Sequence, residues 1–200
     1  MADTHLRPEL IVIAGPNGSG KTSVTRKFLH HEWAEGTFYI NPDIIAQEKY
    51  GDWNSQEAVM KAAEYCENLR LELLARRESF VFETVMSSDN KLDFILKAKN
   101  AGYFIRLFFI ATRHPSINAA RIAKRVMEGG HDVPITKIIS RYSKAIENCK
   151  ILSPLVDRLY VYDNSVDNQD ARLLFRLRDG EVVKRYVENI PEWAEMILAN

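Results

Sequence analysis

Apolar residues along this chain follow two rhythms. Leu10-Ile11-Val12-Ile13, Phe80-Val81-Phe82 and residues 104–111 (FIRLFFIA) are short, mostly apolar runs without helical spacing, as in strands buried on both faces. Residues 37–40 and 159–162 read as two further strands. Between them the spacing lengthens. Over residues 55–77, Val59, Ala62, Ala63, Cys66, Leu69, Leu73 and Leu74 recur at helical intervals, with Ser55 and Asp52 available as caps. Residues 88–101 repeat this through Leu92, Ile95, Leu96 and Ala98, and Gly102 suits the C-cap. Residues 23–30, 115–127 and 135–149 are three more helix candidates.

Strands and helices alternate through the first 165 residues. That order predicts an α/β fold, a parallel five-stranded sheet flanked by helices on both faces. The rhythm then changes. Residues 172–178 and 181–187, around the turn Asp179-Gly180, read as an antiparallel hairpin, and residues 191–198 as a short closing helix. No repeat, linker or low-complexity run divides the chain, so one domain over 1–200 is expected.

The first strand runs into Gly15-Pro16-Asn17-Gly18-Ser19-Gly20-Lys21-Thr22, which fits G-x-x-x-x-G-K-[ST] at every fixed position. A helix-compatible run follows from Ser23, so the context is that of a phosphate loop. The glycines let backbone N–H groups turn toward one anion at a helix N-terminus. Lys21 would reach the β- and γ-phosphates, and the Thr22 hydroxyl would take a position on Mg²⁺. A nucleoside triphosphate is the expected ligand.

Ligands of open α/β sheets bind outside the carboxyl ends of the strands. The residues just past those ends are Asp43, Glu83 with Thr84, Thr112-Arg113 and Asp163-Asn164. Asp43 is the candidate general base, since a hydroxyl attacking phosphorus needs a carboxylate to orient it and take its proton. It could instead cap the turn after Pro42, where regular structure is expected to end. Glu83 could hold substrate or a Mg²⁺-bound water, or cap the following segment.

Arg121 and Arg125 share a helix face, Gly129-Gly130 break that helix, and Arg141 returns on the next one. Two helices joined by a glycine loop and bearing arginines, about 113–149, would make a lid over the transferring phosphoryl. A solvated helical face is the plainer account of Arg121 alone. His131 in the same loop is at most a substrate or lid contact. His30-His31 have no acidic or cysteine partners at ligand spacing. Asn90-Lys91-Leu92-Asp93 matches the N-K-x-D guanine motif, but it opens a helix instead of following a late strand, and we read it as coincidence.

Composition narrows the partners. Among 200 residues, 27 are Lys or Arg and 27 are Asp or Glu, so the net charge is zero. Binding to nucleic acid or membrane surfaces by bulk electrostatics is therefore not expected. Cys66 and Cys149 fall in helical patterns without a C-x-x-C pair and suit buried free thiols. There is no apolar run long enough to span a bilayer and no basic leader, so a soluble cytoplasmic protein is expected.

Several of these segments together resemble the zeta toxin family of phosphate-loop kinases. They are the phosphate loop, Asn41-Pro42-Asp43, Phe82-Glu83-Thr84-Val85, Gly102-Tyr103, residues 125–134 (RVMEGGHDVP), Arg141-Tyr142 and residues 162–165 (YDNS). The resemblance spans about residues 9–165 and leaves the hairpin outside. It implies a nucleotide-kinase-like sheet, ATP and Mg²⁺ as cofactors, and UDP-N-acetylglucosamine or a related nucleotide sugar as acceptor. It also implies an antitoxin as partner. By the same resemblance Lys21 binds phosphate, Asp43 is the base, Glu83 helps fix substrate, and Arg125 and Arg141 are the lid arginines. ATP contacts are expected from Gly15, Pro16, Asn17, Gly18, Ser19, Gly20, Lys21, Thr22 and Ser23, with Arg113 and Asn164. Asp43, Glu83, Thr84, Arg121 and His131 are expected on the substrate. Two other readings stay open. One is a nucleotide-dependent switch acting through a protein partner. The other is a kinase acting on nucleic-acid ends, which would need a basic groove around Arg70, Arg76 and Arg77; an exposed helix end is the simpler account of those three.

Overall fold

A computed structural model describes residues 7–28, 37–51, 55–130 and 132–199 of the chain. The expected strands form as β1 (Glu9–Ala14), β2 (Phe38–Ile40), β3 (Phe80–Thr84), β4 (Phe104–Ala111) and β5 (Arg158–Asp163). They pair in parallel in the order β2-β3-β1-β4-β5. β1 lies at the centre and is almost wholly buried, which is why its sequence is continuously apolar.

Five strands is an undercount of the sheet. The hairpin strands β6 (Arg172–Arg178) and β7 (Glu181–Arg185) extend it to seven, antiparallel to β5 and to each other. The reason is the alternation in β6: Phe175 and Leu177 pair with Val161 and Leu159 and prolong the same buried face. That face is covered by α3 (Gln56–Arg76), α4 (Asp89–Asn100), α6 (Ile135–Leu152) and the closing α7 (Glu192–Leu198), whose Trp193 ring lies 6.2 Å from that of Phe109. The opposite face, with Ile11, Ile13, Phe108 and Ile110, packs on Val24 of α1 (Lys21–Phe28).

A second correction falls at Pro42. Regular structure does not end there; Pro42 opens α2 (Pro42–Tyr50). The Asn41 side chain accepts from the backbone N–H of Asp43 at 2.9 Å and of Ile44 at 3.4 Å, Pro42 occupies the first turn, and left-handed Gly51 closes the helix. The remaining helices match the apolar spacing: Ser55 caps α3, α4 ends before left-handed Gly102, and α5 (Pro115–Met127) and α6 form the helical pair. α6 continues three residues past Cys149 because Leu152 still reaches the core. Asp52 and His30-His31 lie outside the described residues.

Candidate active site

The phosphate loop is braced from outside by the strand ends beside it. Asn118 of α5 donates to the Asn17 carbonyl at 2.6 Å, and its own amide oxygen accepts from the Thr112 hydroxyl. Asn164, just past β5, donates to the Ser19 carbonyl at 2.8 Å. These contacts explain two of the glycines. A Cβ on Gly18, whose φ is +74°, would stand 2.7 Å from the Asn118 carbonyl oxygen, and one on Gly20 (φ +88°) would strike the Asn164 amide. Lys21 is folded over the loop, donating to the Gly15 and Pro16 carbonyls at 2.9 and 3.1 Å. Burial lowers its pKa, while the charges of Glu83 and Asp43 oppose that shift and Arg125 adds to it. The ammonium thus feels the charges of both acidic candidates and of Arg125.

Glu83, one residue before the end of β3, has 6% of its surface exposed. Its carboxylate accepts from three hydroxyls: Thr22 at 3.3 Å, Tyr39 at 2.6 Å, and Thr25. The Asn41 amide donates to the Tyr39 oxygen at 3.0 Å, so the cap of α2 and the Glu83 network are joined. Burial, and then the charge of Glu83, push the Tyr39 pKa up, which keeps this phenol a donor. Thr22 and Glu83 supply hard oxygen atoms beside the loop, as a cation that retains several waters requires. The residues therefore fit Mg²⁺. Among the described residues no cluster of three His, Cys, Asp or Glu side chains suits a metal held by protein alone.

Asp43 lies in the first turn of α2 with its side chain exposed. The capping role belongs to Asn41, and among the described residues no hydrogen bond or ion pair claims the Asp43 carboxylate. From α6, Arg141 donates to the Asn17 side chain at 3.3 Å, and Gly130 packs against the Arg125 side chain. Arg141 thus faces the phosphate loop, and the charge of Arg125 reaches Lys21. The Thr84 hydroxyl accepts from the Met86 N–H at 3.2 Å and shapes the β3–α4 turn. Met86 holds a φ of +58° while wholly buried, its carbonyl accepting from Asn148 at 3.0 Å. Strained backbone held this firmly is common beside functional sites.

A cavity of about 490 Å³ opens beside Gly20 and Ser23, lined further by Val24, Arg121, Tyr162 and the 166–171 loop. Arg121 belongs to this side, donating to the Asn164 carbonyl at 2.7 Å and pairing with Asp167 at 2.6 Å. It therefore stands with Asn164 and Asp167 at this cavity. Arg113 does not line this cavity; it borders a neighbouring one of about 400 Å³ with Asp163, Arg172 and Pro191. His131 lies outside the described residues. The α3 arginines separate: Arg76 pairs with Glu72 at 2.5 Å at the exposed helix end, Arg77 donates to the Ala101 carbonyl, and Arg70 is buried, so they form no common groove.

Sequence reasoning missed Thr25, Tyr39, Asn41 and Asn118. Asn41 had a signal, because Asn before Pro-Asp is a helix start. The other three contact the site from positions that only the fold brings near.

A parallel sheet with a phosphate loop after its central strand, a carboxylate on the loop threonine and an arginine-bearing helical pair define a phosphate-loop, kinase-like protein. The chain belongs to the zeta toxin family, whose profile matches residues 2–176. An uncharacterized protein of Haemophilus influenzae is 26% identical over 137 residues, covering 68% of this chain and 94% of its own length. Among solved structures, the PezAT chromosomal toxin–antitoxin system of Streptococcus pneumoniae superposes with a TM-score of 0.60 at 20% identity, over 96% of this chain and 77% of that one. The AvrRxo1-ORF1:ORF2 complex with ATP superposes with a TM-score of 0.70 at 18% identity, over 98% of this chain and 64% of that one. At these identities the two structures speak for the fold. Among the described residues no helix is long and apolar enough to cross a membrane.

Proposed function

We propose that the protein transfers the γ-phosphoryl group of ATP to a hydroxyl of a small molecule, a nucleotide sugar of the UDP-N-acetylglucosamine kind. The observation that supports this most is the division of labour at Asn41-Pro42-Asp43. Asn41 caps the helix, and among the described residues the carboxylate two residues on has no partner, while its charge reaches Lys21. ATP sits with its phosphates in the loop and its nucleoside in the cavity beside Gly20, Tyr162 and Asn164. Thr22 and Glu83 would hold Mg²⁺, which supplies charge neutralisation to the phosphate chain when bound.

Asp43 accepts the proton of the acceptor hydroxyl as that oxygen bonds to the γ-phosphorus and the bond to the β–γ bridging oxygen breaks, releasing ADP. Lys21, Arg125 and Arg141 offset the charge on the transferring group. By family membership, a separate antitoxin chain is the protein partner and the cytoplasm the place of action.

The test is product formation read by mass spectrometry. Protein, ATP and Mg²⁺ are incubated with UDP-sugars, free sugars, nucleosides and aminoglycosides, beside Asp43→Ala. A phosphorylated UDP-amino sugar, absent with the variant, is the expected result. A product of another class replaces the acceptor and keeps the chemistry. Tight nucleotide binding with no product in any class overturns the kinase reading in favour of a switch.

A further inference from the structure

The carbonyls of Asn17 and Ser19 each precede a left-handed glycine, Gly18 at φ +74° and Gly20 at φ +88°. Each carbonyl is held from outside the loop by an asparagine amide, Asn118 on the first at 2.6 Å and Asn164 on the second at 2.8 Å. A trans peptide carries its C=O and its N–H on opposite sides. Pinning these two carbonyls outward therefore turns the N–H groups of Gly18 and Gly20 inward. Between them, the N–H of Ser19 is engaged by the Pro16 carbonyl at 3.3 Å. Among the described residues the Gly18 and Gly20 N–H groups have no acceptor, as donors kept for an anion require.

The first pin is anchored well beyond the loop. Asn118 is wholly buried, and its Oδ1 accepts from the Thr112 hydroxyl, which leaves the Nδ2 end to face Asn17. A flipped amide would set its oxygen against the Asn17 carbonyl. Thr112 is wholly buried too, and its carbonyl accepts from the Tyr142 hydroxyl of α6 at 2.5 Å. Burial pushes the Tyr142 pKa up to about 12, so the phenol keeps its proton. Next to it on α6, Arg141 donates to the Asn17 side chain. Two consecutive residues of α6 thus reach Asn17 by separate routes, one at its side chain and one, through Thr112 and Asn118, at its carbonyl. The second pin is anchored locally. The Asn164 N–H donates to the Ala111 carbonyl at 2.8 Å, and the Asn164 carbonyl accepts from Arg121 at 2.7 Å.

We infer that Asn118 and Asn164 are positioning residues that aim the Gly18 and Gly20 N–H groups at the triphosphate, and that Tyr142 sets the first of them from α6. Only the transfer that follows rests on the kinase reading; the aim of the N–H groups is measured without turnover. Donors already aimed need no reorientation when the anion arrives. Without the Asn118 pin, the peptide between Asn17 and Gly18 is free to rotate and must be ordered at the moment of binding. Because Arg141 and Tyr142 are neighbours on α6, the arginine proposed for the phosphoryl group and the loop donors keep one register.

The experiment uses the whole chain labelled with ¹⁵N. A non-hydrolysable ATP analogue with Mg²⁺ is titrated while the amide proton shifts of Gly18 and Gly20 are followed. Affinities for the analogue, for tripolyphosphate with Mg²⁺ and for adenosine are measured by calorimetry. In the wild type both glycine signals should move downfield at saturation, as their N–H groups bond to phosphate oxygens. Asn118→Ala should remove most of the Gly18 displacement and keep that of Gly20. It should weaken the analogue and tripolyphosphate by about ten- to a hundred-fold, the range of a charge-assisted hydrogen bond, with adenosine affinity unchanged. Asn164→Leu, neutral and of similar volume, should do the reverse to the two glycines. Thr112→Val and Tyr142→Phe, which keep volume, should weaken tripolyphosphate severalfold, and Thr112→Ser should restore it. Those milder variants decide the first pin if Asn118→Ala does not fold. Wild-type glycine shifts and tripolyphosphate affinity in the variants overturn the pins, and so does an equal loss for adenosine in the Asn118 and Thr112 variants. Binding that follows these rules with no phosphorylated product from any acceptor sinks the kinase reading and leaves the pins standing.

Discussion

The two sides of the phosphate loop are built on opposite principles. On the side proposed for the nucleotide donor, polar side chains satisfy one another. Glu83 has three hydroxyl donors, Asn118 and Asn164 hold loop carbonyls, and Arg121 has both a carbonyl and a carboxylate. The Ser19 hydroxyl is an exception. On the side proposed for the acceptor, among the described residues, Asp43 has no partner and Arg70 is buried without an anion. A donor site that receives the same triphosphate in every cycle gains from preorganisation, which costs nothing at the moment of reaction. An acceptor site left electrostatically open gains its last contacts from the substrate, and so selects for it.

Substitutions on the two sides should therefore behave differently. The largest effect is expected at Asp43→Asn, which should lower the rate of transfer by about a hundred- to ten-thousand-fold. Thermal unfolding and ATP affinity should stay at wild-type values, because Asn41 caps α2. A variant that still turns over normally would remove Asp43 as the base. Arg141→Ala comes next, with about a hundred-fold loss in kcat and less change in KM for ATP, measured by steady-state kinetics. A pure KM effect would make that arginine a binding residue only.

The third test reads stability. Tyr39→Phe removes a donor from the buried Glu83 carboxylate and should cost about 1.5 kcal/mol or more, a fall of several degrees in Tm for a domain of this size. Arg70→Met should move Tm in the other direction, since it removes a buried charge that lacks a counterion among the described residues. Equal signs for the two would collapse the contrast between the sides.

The smallest effect concerns the buried thiols. Burial pushes Cys66 up to about 11 and Cys149 well above its ordinary value. Because the folded thiol holds its proton where the unfolded one has lost it, this contribution to stability is complete below about pH 9. It falls away as pH rises toward 11. Cys66→Ala should flatten that part of the unfolding curve, and neither thiol should alkylate in the folded protein at pH 7.5.

Most of the donor side could be read from the chain. A phosphate loop is contiguous, so its glycines, Lys21 and Thr22 announce themselves at fixed spacing, and the strand ends point to Glu83 and Asn164. The reading failed where a local signal was taken with the wrong sign, as at Pro42, which starts a helix because Asn41 precedes it. It also failed where contacts are long-range. Nothing near Tyr39 in sequence says that it meets a carboxylate 44 residues away. Arg70 reads as one more polar position on an amphipathic helix, and only its packing against β3 and α4 shows that it is buried.

The sequence by itself determined the alternation of strands and helices, the phosphate loop, the arginine-bearing helical pair and the family. These depend on periodicity and short fixed spacings, which are local properties of the chain. The tertiary structure decided that the hairpin completes the sheet, that Asn41 releases Asp43 from capping, that Arg121 stands beside the cavity at Gly20, and that Arg70 lacks a partner among the described residues. Each depends on which surfaces exclude water from which side chains, and burial is a property of the assembled fold alone.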